Sequence, residues 1–377
     1  MKVSILCFDL SSNAAGRADL LARLLAPRYE VEVVGPCFGG GLWPPVQDGP
    51  IRYRSVAGSR YPRFVTRLPE LLALADGDLV YASKPRPTSF GVGLVKRALA
   101  RRPLILDIDD WEVGFYYRAG LWGRVGRFLN LANPNGLPWT WLMERLVGRV
   151  SVRTVASRFL EARFGGSLIP HVRDTEAWRP GKHDPSPARR RLEVRGEKVV
   201  MFLGTPRDHK GLDDLAEALG RLGRPDVILA LVGTDPDSPP ARRLASRTPA
   251  LRCVRAIPFV EVPHYLEAAD VVAVPQRRSS DSLAQVPAKL FDAIALGRPI
   301  VSTRVSMIPE ILDGCGLLVE PGDPDALAQA LAFLLDHPEE ASALGRRARA
   351  RAEERYSFAV ARRVLLPLIE RTLAREA

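Results

Sequence analysis

The sequence predicts an α/β protein made of two Rossmann-like, doubly wound domains. Short apolar runs of four to six residues alternate with helical patterns along the chain, which is typical of buried parallel strands covered by helices on both faces. The length of 377 residues suits two domains, since one domain usually holds about 100–200 residues. Proline, glycine and charged residues accumulate over residues 169–191, as in a linker between domains.

The first half of the chain begins with a predicted strand, helix and strand. Apolar residues recur at positions 20, 21, 24 and 25, a spacing that places them on one face of a helix, and the pattern ends at Pro27. We predict a first domain over residues 1–178. Its strands are predicted from four apolar runs, at residues 2–8, 31–35, 79–82 and 103–108.

The second half repeats the alternation and predicts a second domain over residues 179–355. Its predicted strands are VVMFLG, VILALVG, RCVRAI, DVVAVP, PIVST and GLLVE, and its predicted helices are GLDDLAEALGRLG, VPHYLEAA, residues 287–296 and DPDALAQALAFLLDH. Residues 356–377 predict a long helix, interrupted by Pro367, that packs back against the first domain. Doubly wound sheets bind ligands at the carboxyl ends of their strands, so we expect the two domains to face a central cleft.

Composition predicts a cytoplasmic protein, or one bound peripherally at the inner face of a membrane. Apolar residues make up 46% and charged residues 26% of the chain, and no apolar run reaches the ~18 residues of a membrane-spanning helix. The start, MKVSILCFDL, reads as a buried strand rather than a signal peptide. The four cysteines lie far apart without metal-ligand spacing, which indicates reduced thiols.

The net charge of +11 belongs mainly to the first half of the chain. Up to Asp184 there are 26 Lys and Arg against 17 Asp and Glu, which gives +9. We therefore expect the first domain to meet the more anionic partner. An anionic membrane surface and an ordinary solvated basic surface both remain open, whereas nucleic acid is not expected because no recognisable binding motif accompanies the charge.

The segment GTPRDHKG predicts an anion site in the second domain. It follows a buried strand that ends at Gly204, contains Arg207 and Lys210, and precedes a helix that begins near Gly211. Amide groups at a helix start, with two cations beside them, suit a phosphate or diphosphate. The alternative is that both cations are ordinary loop charges. No GxGxxG follows the first strand and this segment is not a P-loop, which disfavours a nicotinamide dehydrogenase and a P-loop ATPase.

Asp292 lies inside the predicted helix 287–296, where aspartate is unfavourable because its side chain competes for backbone hydrogen bonds. Pro287 suits the first turn, and Leu290 and Ile294 share the apolar face. A carboxylate at mid-helix can accept two hydrogen bonds from the vicinal diol of a nucleotide ribose. The alternative is a surface pair between Asp292 and Lys289.

Taken together, these segments resemble the retaining glycosyltransferases of family 4, which have the GT-B fold. Gly204, Thr205, Lys210 and Gly211 stand at the positions of the family's G-R-x(4)-K-G loop, with Thr205 in place of its Arg and Arg207 as a substitute guanidinium. DAIALGRPIVSTRVSMIPEI resembles the family's EAMAxGxPVVxTxxxxxPEI, with Asp292 at the second Glu of an E-x(7)-E element. The first Glu of that element is Ala284 here.

The resemblance implies transfer of a sugar from a nucleotide-diphosphate sugar to an acceptor hydroxyl, with retention of configuration and without a cofactor or metal ion. Lys210 and Arg207 would stabilise the departing diphosphate, which itself takes the acceptor proton, and Asp292 would hold the donor ribose. Asp281 or Ser282 would replace the missing Glu at the donor sugar, or the sugar would be held mainly by backbone groups. The donor-binding residues implied are Gly204, Thr205, Gly211, Asp281, Ser282, Lys289 and Asp292.

The resemblance places the acceptor, a glycan or lipid-linked molecule, against the first domain. PLILDIDDWE is similar to the family's PVVxTxHD strand, with Asp109 at the His position and Asp110 at the Asp position. Asp109 would orient the acceptor hydroxyl. Asp107, Asp109 and Asp110 also resemble a metal-binding DxD, although GT-B enzymes generally work without a catalytic metal. The other acceptor-side residues implied are Ser12, Asn13, Gly16, Lys84 and Arg86.

Residues 111–149 combine aromatic side chains with arginines. This composition suits an anionic bilayer interface or a lipid-linked acceptor, and the alternative is a helical insertion packed on the first sheet. The aromatic residues are Phe115, Tyr116, Tyr117, Trp122, Trp139 and Trp141, and the arginines are Arg118, Arg124, Arg127, Arg145 and Arg149.

Two further functions remain open. A sugar-nucleotide epimerase of the same fold would need the donor site but no acceptor. A non-catalytic partner subunit would explain the departures at Thr205 and Ala284.

Overall fold

The computed structural model describes residues 1–116, 121–248, 250–280 and 282–376. The chain divides into two compact units. The first unit comprises Met1–His171 and Ala361–Ala377, and the second comprises Val172–Val360. The division after His171 lies within the predicted linker, a few residues before the predicted boundary at residue 178.

The first unit contains a seven-stranded sheet in the order β3-β2-β1-β4-β5-β6-β7. Its neighbouring strands are parallel and mostly buried, because apolar residues such as Val3, Ile5 and Leu106 lie inside. The strands are β1 (Lys2–Cys7), β2 (Glu30–Cys37), β3 (Arg52–Ala57), β4 (Leu79–Ser83), β5 (Leu104–Ile108), β6 (Arg153–Val155) and β7 (Ser167–Leu168).

The second unit contains a six-stranded parallel sheet in the order β10-β9-β8-β11-β12-β13. Both sheets therefore place their first strand between the second and the fourth, as doubly wound folds do, and the predicted α/β class is confirmed. The strands are β8 (Lys198–Leu203), β9 (Val227–Val232), β10 (Leu251–Val254), β11 (Val271–Val274), β12 (Ile300–Thr303) and β13 (Leu317–Val319).

Helices cover the sheets in both units, and α14 and α15 end the chain. Pro287, predicted in the first turn of a helix, is instead the extended N-cap residue of α11. The helices are α1 (Ala14–Leu25), α2 (Leu68–Leu74), α3 (Val92–Ala100), α4 (Leu121–Leu129), α5 (Leu137–Leu146), α6 (Arg158–Phe164), α7 (Ser186–Arg191), α8 (Leu212–Leu222), α9 (Pro239–Ala245), α10 (Val262–Ala268), α11 (Ala288–Ala295), α12 (Ile308–Ile311), α13 (Pro324–Asp336), α14 (Pro338–Arg355) and α15 (Phe358–Glu376).

The core of the second unit lies between its sheet and helices α8, α13 and α14. In α8, Leu212, Leu215 and Ala216 recur at the three- and four-residue spacing of one helix face, and all are buried. They pack with Phe202 and Leu229 of the sheet. Burial of each leucine contributes about 1.5–3 kcal/mol, so this apolar stripe holds α8 and the loop before it on the sheet.

Helix α15 contributes to the first unit through its residues from Ala361 onward. Leu365 and Ile369 are fully buried. Arg362 donates hydrogen bonds from Nε to the Leu24 carbonyl at 3.0 Å and from Nη2 to the Arg23 carbonyl at 3.1 Å. These are carbonyls of the last turn of α1, which lack partners within their own helix.

A buried ion pair joins α1 to the sheet of the first unit. Arg17 Nε and Nη2 donate to the two carboxylate oxygens of Asp107 at 2.9 and 2.8 Å, and both side chains are almost fully buried. The same guanidinium donates to the carbonyls of Ile169 at 2.8 Å and Pro170 at 3.2 Å. The Thr154 hydroxyl also donates to Asp107, at 2.7 Å. The buried carboxylate is thus held by side chains that are distant from it in sequence.

Replacing Arg17 by Met should therefore lower the free energy of unfolding of the protein by about 3–5 kcal/mol, because Asp107 would remain as a buried, unpaired charge. Arg28→Met is the matched control, since Arg28 forms an exposed pair with Glu370 and should cost below ~1 kcal/mol. Urea unfolding of both variants measures the difference. Equal midpoints for the two variants would contradict this role of the buried pair.

Candidate functional site

The loop between β8 and α8 is shaped by two glycines at positive φ. At Gly204, with φ +116°, an added Cβ would lie 2.7 Å from the Lys289 Nζ. At Gly211, with φ +67°, it would lie 1.8 Å from the carbonyl oxygen of Pro275. The Pro275 backbone leaves no room for a side chain at Gly211, and the positive φ disfavours a side chain at both positions. The loop is thus held against the end of β11 on one side and against the side chain of Lys289 on the other.

Cations gather around this loop. Lys210 donates from Nζ to Gln285 Oε1 at 2.7 Å, and the Lys289 Nζ lies 4.4 Å from the ring centroid of Phe202. Burial holds the pKa of Lys289 well below its ordinary value, and the nearby charges of Lys210 and Arg207 lower it further. Cations that lie this close together favour a bound anion.

The loop also has exposed side chains. Thr205 and Arg207 are exposed. In the first turn of α8, Asp214 pairs with Arg277, whose Nε donates to it at 2.7 Å. This pair attaches the segment after β11 to the start of α8.

Asp292 is buried in α11 and pairs with Arg173, whose Nε donates to Asp292 Oδ1. Burial raises the pKa of Asp292, and the charge of Arg173 opposes that rise. The alternative of a surface pair between Asp292 and Lys289 is therefore wrong for this structure. The carboxylate is an internal one, with a buried guanidinium as its partner.

Ser282 and Asp281 are the predicted substitutes for the Glu that is Ala284 in this chain. Ser282 is buried, and its hydroxyl accepts from the Ser279 amide at 2.8 Å and donates to the Ser279 carbonyl at 3.1 Å. It thus bonds within its own turn. Asp281 lies outside the described residues. Ala284 itself is buried.

A second polar cluster lies at the carboxyl ends of β4 and β5 in the first unit. Lys84 has a left-handed backbone, with φ +72°, and its buried Nζ lies 3.1 Å from Asp109, 2.6 Å from Asp110 and 2.9 Å from Glu112. Desolvation raises the pKa of Asp109 to about 7, with Lys84 opposing the rise and Asp110 adding to it. One ammonium thus holds three carboxylates in one place.

Arg86 supports this cluster from the other side of Glu112. Its Nε donates to Glu112 at 2.9 Å, and its Nη1 donates to the Asn135 carbonyl at 2.6 Å and the Thr140 hydroxyl at 2.7 Å. The predicted acceptor-side residues Lys84, Arg86, Asp109 and Asp110 are therefore brought together by β4 and β5.

The DxD interpretation is altered by the structure. The carboxylate oxygens of Asp109, Asp110 and Glu112 lie within 4.8 Å of one another, and the Lys84 ammonium contacts all three. Asp107, by contrast, binds Arg17 and Thr154. The set that could hold a cation therefore includes Glu112 rather than Asp107, and it already surrounds an ammonium.

The residues predicted at the start of α1 lie near a different group. The Ser12 hydroxyl donates to the Asp9 carbonyl at 3.1 Å, and Asn13 is the exposed N-cap residue of α1. An added Cβ on Gly16 would lie 3.0 Å from the ring of Trp43. Gly16 thus gives that indole its place against the helix.

Three residues of these clusters were missed from the sequence: Arg17, Glu112 and Arg173. Arg17 carried a weak signal, since it lies three residues after Ala14 and four before Leu21, both on the buried face of α1. Arg173 lies in the predicted linker, where no pattern distinguished it. Glu112 had no pattern of its own.

Comparison with known proteins gives relatives of one kind. The family model "Glycosyl transferases group 1" matches residues 197–337. A GDP-mannose-dependent alpha-(1-6)-phosphatidylinositol monomannoside mannosyltransferase of Mycolicibacterium smegmatis is 29% identical over 302 residues, which cover 75% of this chain and 74% of the relative. A GDP-mannose-dependent monoacylated alpha-(1-6)-phosphatidylinositol monomannoside mannosyltransferase of Corynebacterium glutamicum is 27% identical over 318 residues, which cover 79% of this chain and 78% of the relative.

Solved structures share the fold over nearly the whole chain. HepE of Anabaena in complex with UDP-glucose has a TM-score of 0.77 and 18% identity, covering 98% of this chain and 99% of that one. WaaG, a glycosyltransferase involved in lipopolysaccharide biosynthesis, has a TM-score of 0.70 and 15% identity, covering 97% and 98%.

The Lys84 cluster predicts a pH-dependent stability. The pKa of Asp109 is about 7 in the folded protein and near 4 when unfolded, so the stability that its bound proton contributes is lost as the pH rises from about 4 to 7. Asp109→Asn cannot ionise. Relative to wild type, its free energy of unfolding should rise by up to roughly 3 kcal/mol between pH 5 and pH 8.

Denaturant titrations at several pH values measure this difference. Asp48→Asn, at an exposed position, is the control, and its difference from wild type should stay constant. A constant difference for Asp109→Asn as well would show that Asp109 is ionised throughout this range.

Proposed function

We propose that this chain, which is a glycosyltransferase of the family 4 type with the GT-B fold, transfers a sugar from a nucleotide-diphosphate sugar to a lipid-linked or glycan acceptor hydroxyl with retention of configuration. One observation carries the proposal. The Gly204–Gly211 loop, Lys210 and Lys289 form a site in which burial, together with the nearby charges of Lys210 and Arg207, lowers the pKa of Lys289 well below its ordinary value. A diphosphate supplies the missing negative charge.

The donor half of the mechanism follows from charge. Breaking the anomeric bond builds negative charge on the departing diphosphate, and Lys210, Arg207 and Lys289 stabilise that charge where it develops. Asp292 accepts hydrogen bonds from the ribose diol and so orients the nucleotide. The departing diphosphate takes the proton of the acceptor hydroxyl, so no side-chain nucleophile is needed.

The acceptor half rests on the cluster around Lys84. Asp109, with a pKa of about 7, can accept a hydrogen bond from an acceptor hydroxyl when it is ionised. Lys84 and Arg86 are fixed by their carboxylate partners, and they hold the end of β5 in position. Asp109 would thereby orient the acceptor hydroxyl without taking its proton completely.

A lipid-linked acceptor is favoured by the surface of α4 and α5. Trp122 is 85% exposed and Leu129 is 70% exposed. The exposed apolar side chains of this surface, which we call the α4–α5 apolar face, are Trp122, Val125, Phe128, Leu129, Leu131, Trp141 and Leu142.

Arginines accompany the α4–α5 apolar face. The Arg145 guanidinium lies 4.6 Å from the ring centroid of Trp141, and that of Arg127 lies 5.9 Å from Tyr116. Aromatic rings with cations beside them suit the headgroup region of an anionic bilayer. Tyr117 and Arg118, also predicted here, lie outside the described residues, as does the side chain of Arg124. In the described part of the chain, no helix has the length and apolarity to span a bilayer.

The two mannosyltransferase relatives are named for phosphatidylinositol mannoside acceptors. Their acceptors combine an anionic headgroup with acyl chains in a membrane. This agrees with an acceptor presented at an anionic membrane surface and with the positive charge of the first half of the chain. Peripheral attachment at that surface is part of the proposal.

Lys210→Ala should lower kcat by about 10²–10³-fold while leaving the fold intact, because one preorganised cation at the leaving group is lost. Release of nucleoside diphosphate from a panel of nucleotide sugars, with and without a glycolipid acceptor, measures turnover. Lys198→Ala is the control, since Lys198 lies at the start of β8, away from the carboxyl ends of the strands. Unchanged turnover in Lys210→Ala would refute the diphosphate site. Sugar-nucleotide conversion without acceptor would favour the epimerase alternative.

The combined change Trp122→Ser with Phe128→Ser should lower binding to phosphatidylglycerol vesicles at least tenfold in a flotation assay, because the two most exposed aromatic side chains of the α4–α5 apolar face are removed. Leu99→Ser on α3, also at an exposed apolar residue, is the matched control and should bind as wild type. Wild-type protein that stays unbound at low salt would remove the membrane from the proposal.

A further inference from the structure

Arg173 is a buried arginine whose guanidinium is fixed by contacts within the second unit. Its Nε donates to Asp292 Oδ1, and its Nη1 donates to the Val172 carbonyl at 2.7 Å. The guanidinium carbon lies 5.2 Å from the ring centroid of Phe259 and 5.7 Å from that of Trp178. Aromatic faces on a cation restrict its movement.

The backbone of Arg173 is held as firmly as its side chain. Its amide donates to the Tyr356 carbonyl at 3.0 Å, and its carbonyl accepts from the Phe358 amide at 3.0 Å, which makes a parallel bridge with Ser357. The ring of Tyr356 in turn packs edge-on against Phe291, 5.2 Å away and next to Asp292. The backbone of Arg173 and helix α11 therefore both contact the same short segment, residues 356–358.

This arrangement constrains what Asp292 can do. A carboxylate has two oxygens and about four acceptor positions, and Arg173 engages Oδ1. Burial favours the neutral carboxyl, and the guanidinium opposes this by favouring the charged form. A charged carboxylate with one oxygen held in place is a better acceptor for two adjacent hydroxyls than a freely rotating or protonated one.

We propose that Arg173 is a positioning residue for the nucleotide donor, which holds Asp292 so that the carboxylate accepts the vicinal ribose hydroxyls. This rests on the proposed function, because it concerns the same donor. It adds a specific requirement: recognition of the ribose diol depends on a residue that does not touch the nucleotide.

A positioning role and a merely structural role predict different binding data. If Arg173 only stabilised the fold, its loss would weaken all nucleotides equally. If it positions Asp292, its loss weakens nucleotides that carry the ribose diol and spares those that lack it. The ratio of two dissociation constants therefore separates the two roles, even when a variant is less stable.

The experiment compares a nucleoside diphosphate with its 2′,3′-dideoxy form by isothermal titration calorimetry. The base is the one of GDP and UDP that raises the melting temperature of wild-type protein more. Wild type should prefer the ribose form by roughly 10–100-fold, as expected for hydrogen bonds to a charged group. Arg173→Met should reduce that preference to below about threefold, with binding of the dideoxy form changed less than about twofold.

Two further variants keep the test decisive. Arg173→Lys retains the charge and should recover part of the preference, and Asp292→Asn, which is nearly isosteric, should lose it even if Arg173→Met does not fold. Arg179→Met, at an exposed residue of the same segment, is the control and should keep the wild-type ratio. The full wild-type preference in Arg173→Met would overturn the positioning role. If Arg173→Met does not fold, the full preference in both single variants, Arg173→Lys and Asp292→Asn, would overturn it.

The result also separates this inference from the proposed function. Absence of any nucleoside diphosphate binding by wild type would refute the diphosphate site itself. A wild-type preference for ribose that survives loss of Arg173 would refute only the inference about Arg173.

Discussion

The close approach of Gly211 to the Pro275 carbonyl is the constraint on which the donor-side arrangement depends. Because no side chain fits there, the loop from Gly204 lies against the end of β11. This brings Lys210 within hydrogen-bonding reach of Gln285 and the Gly204 backbone beside the Lys289 ammonium. Two glycines thus set the charge density of the loop as well as its shape, since cations on a longer or looser loop would separate and be solvated.

The two units place charges of opposite sign near the carboxyl ends of their strands. In the second unit, cations lie close together and the pKa of Lys289 is lowered. In the first, carboxylates lie close together around Lys84 and the pKa of Asp109 is raised. Like charges thus lie close together in both clusters, positive in the second unit and negative in the first. This matches a transferase in which one substrate brings a diphosphate and the other a hydroxyl.

Much of the fold was predictable from the sequence, because periodicity is a local property. The alternation of apolar runs and helices predicted both parallel sheets. The GTPRDHKG segment predicted a loop with cations between a buried strand and a helix. The buried ion pairs were not predictable. Arg17 and Asp107 are 90 residues apart in sequence, and Arg173 and Asp292 are 119 apart. No spacing rule connects residues so far apart in sequence. The sequence therefore suggested a DxD motif that joined Asp107 to Asp109, and a surface pair between Asp292 and Lys289.

The attachment of α15 to the first unit affects the order in which the two units fold during synthesis. The first unit is completed by Ala361–Ala377, which carry the buried Leu365 and the Arg362 that binds the last turn of α1. Every residue of the second unit is therefore translated before the first unit can bury that edge. The nascent first unit must wait with exposed apolar surface, so vectorial synthesis favours the second unit as the one that completes its core first.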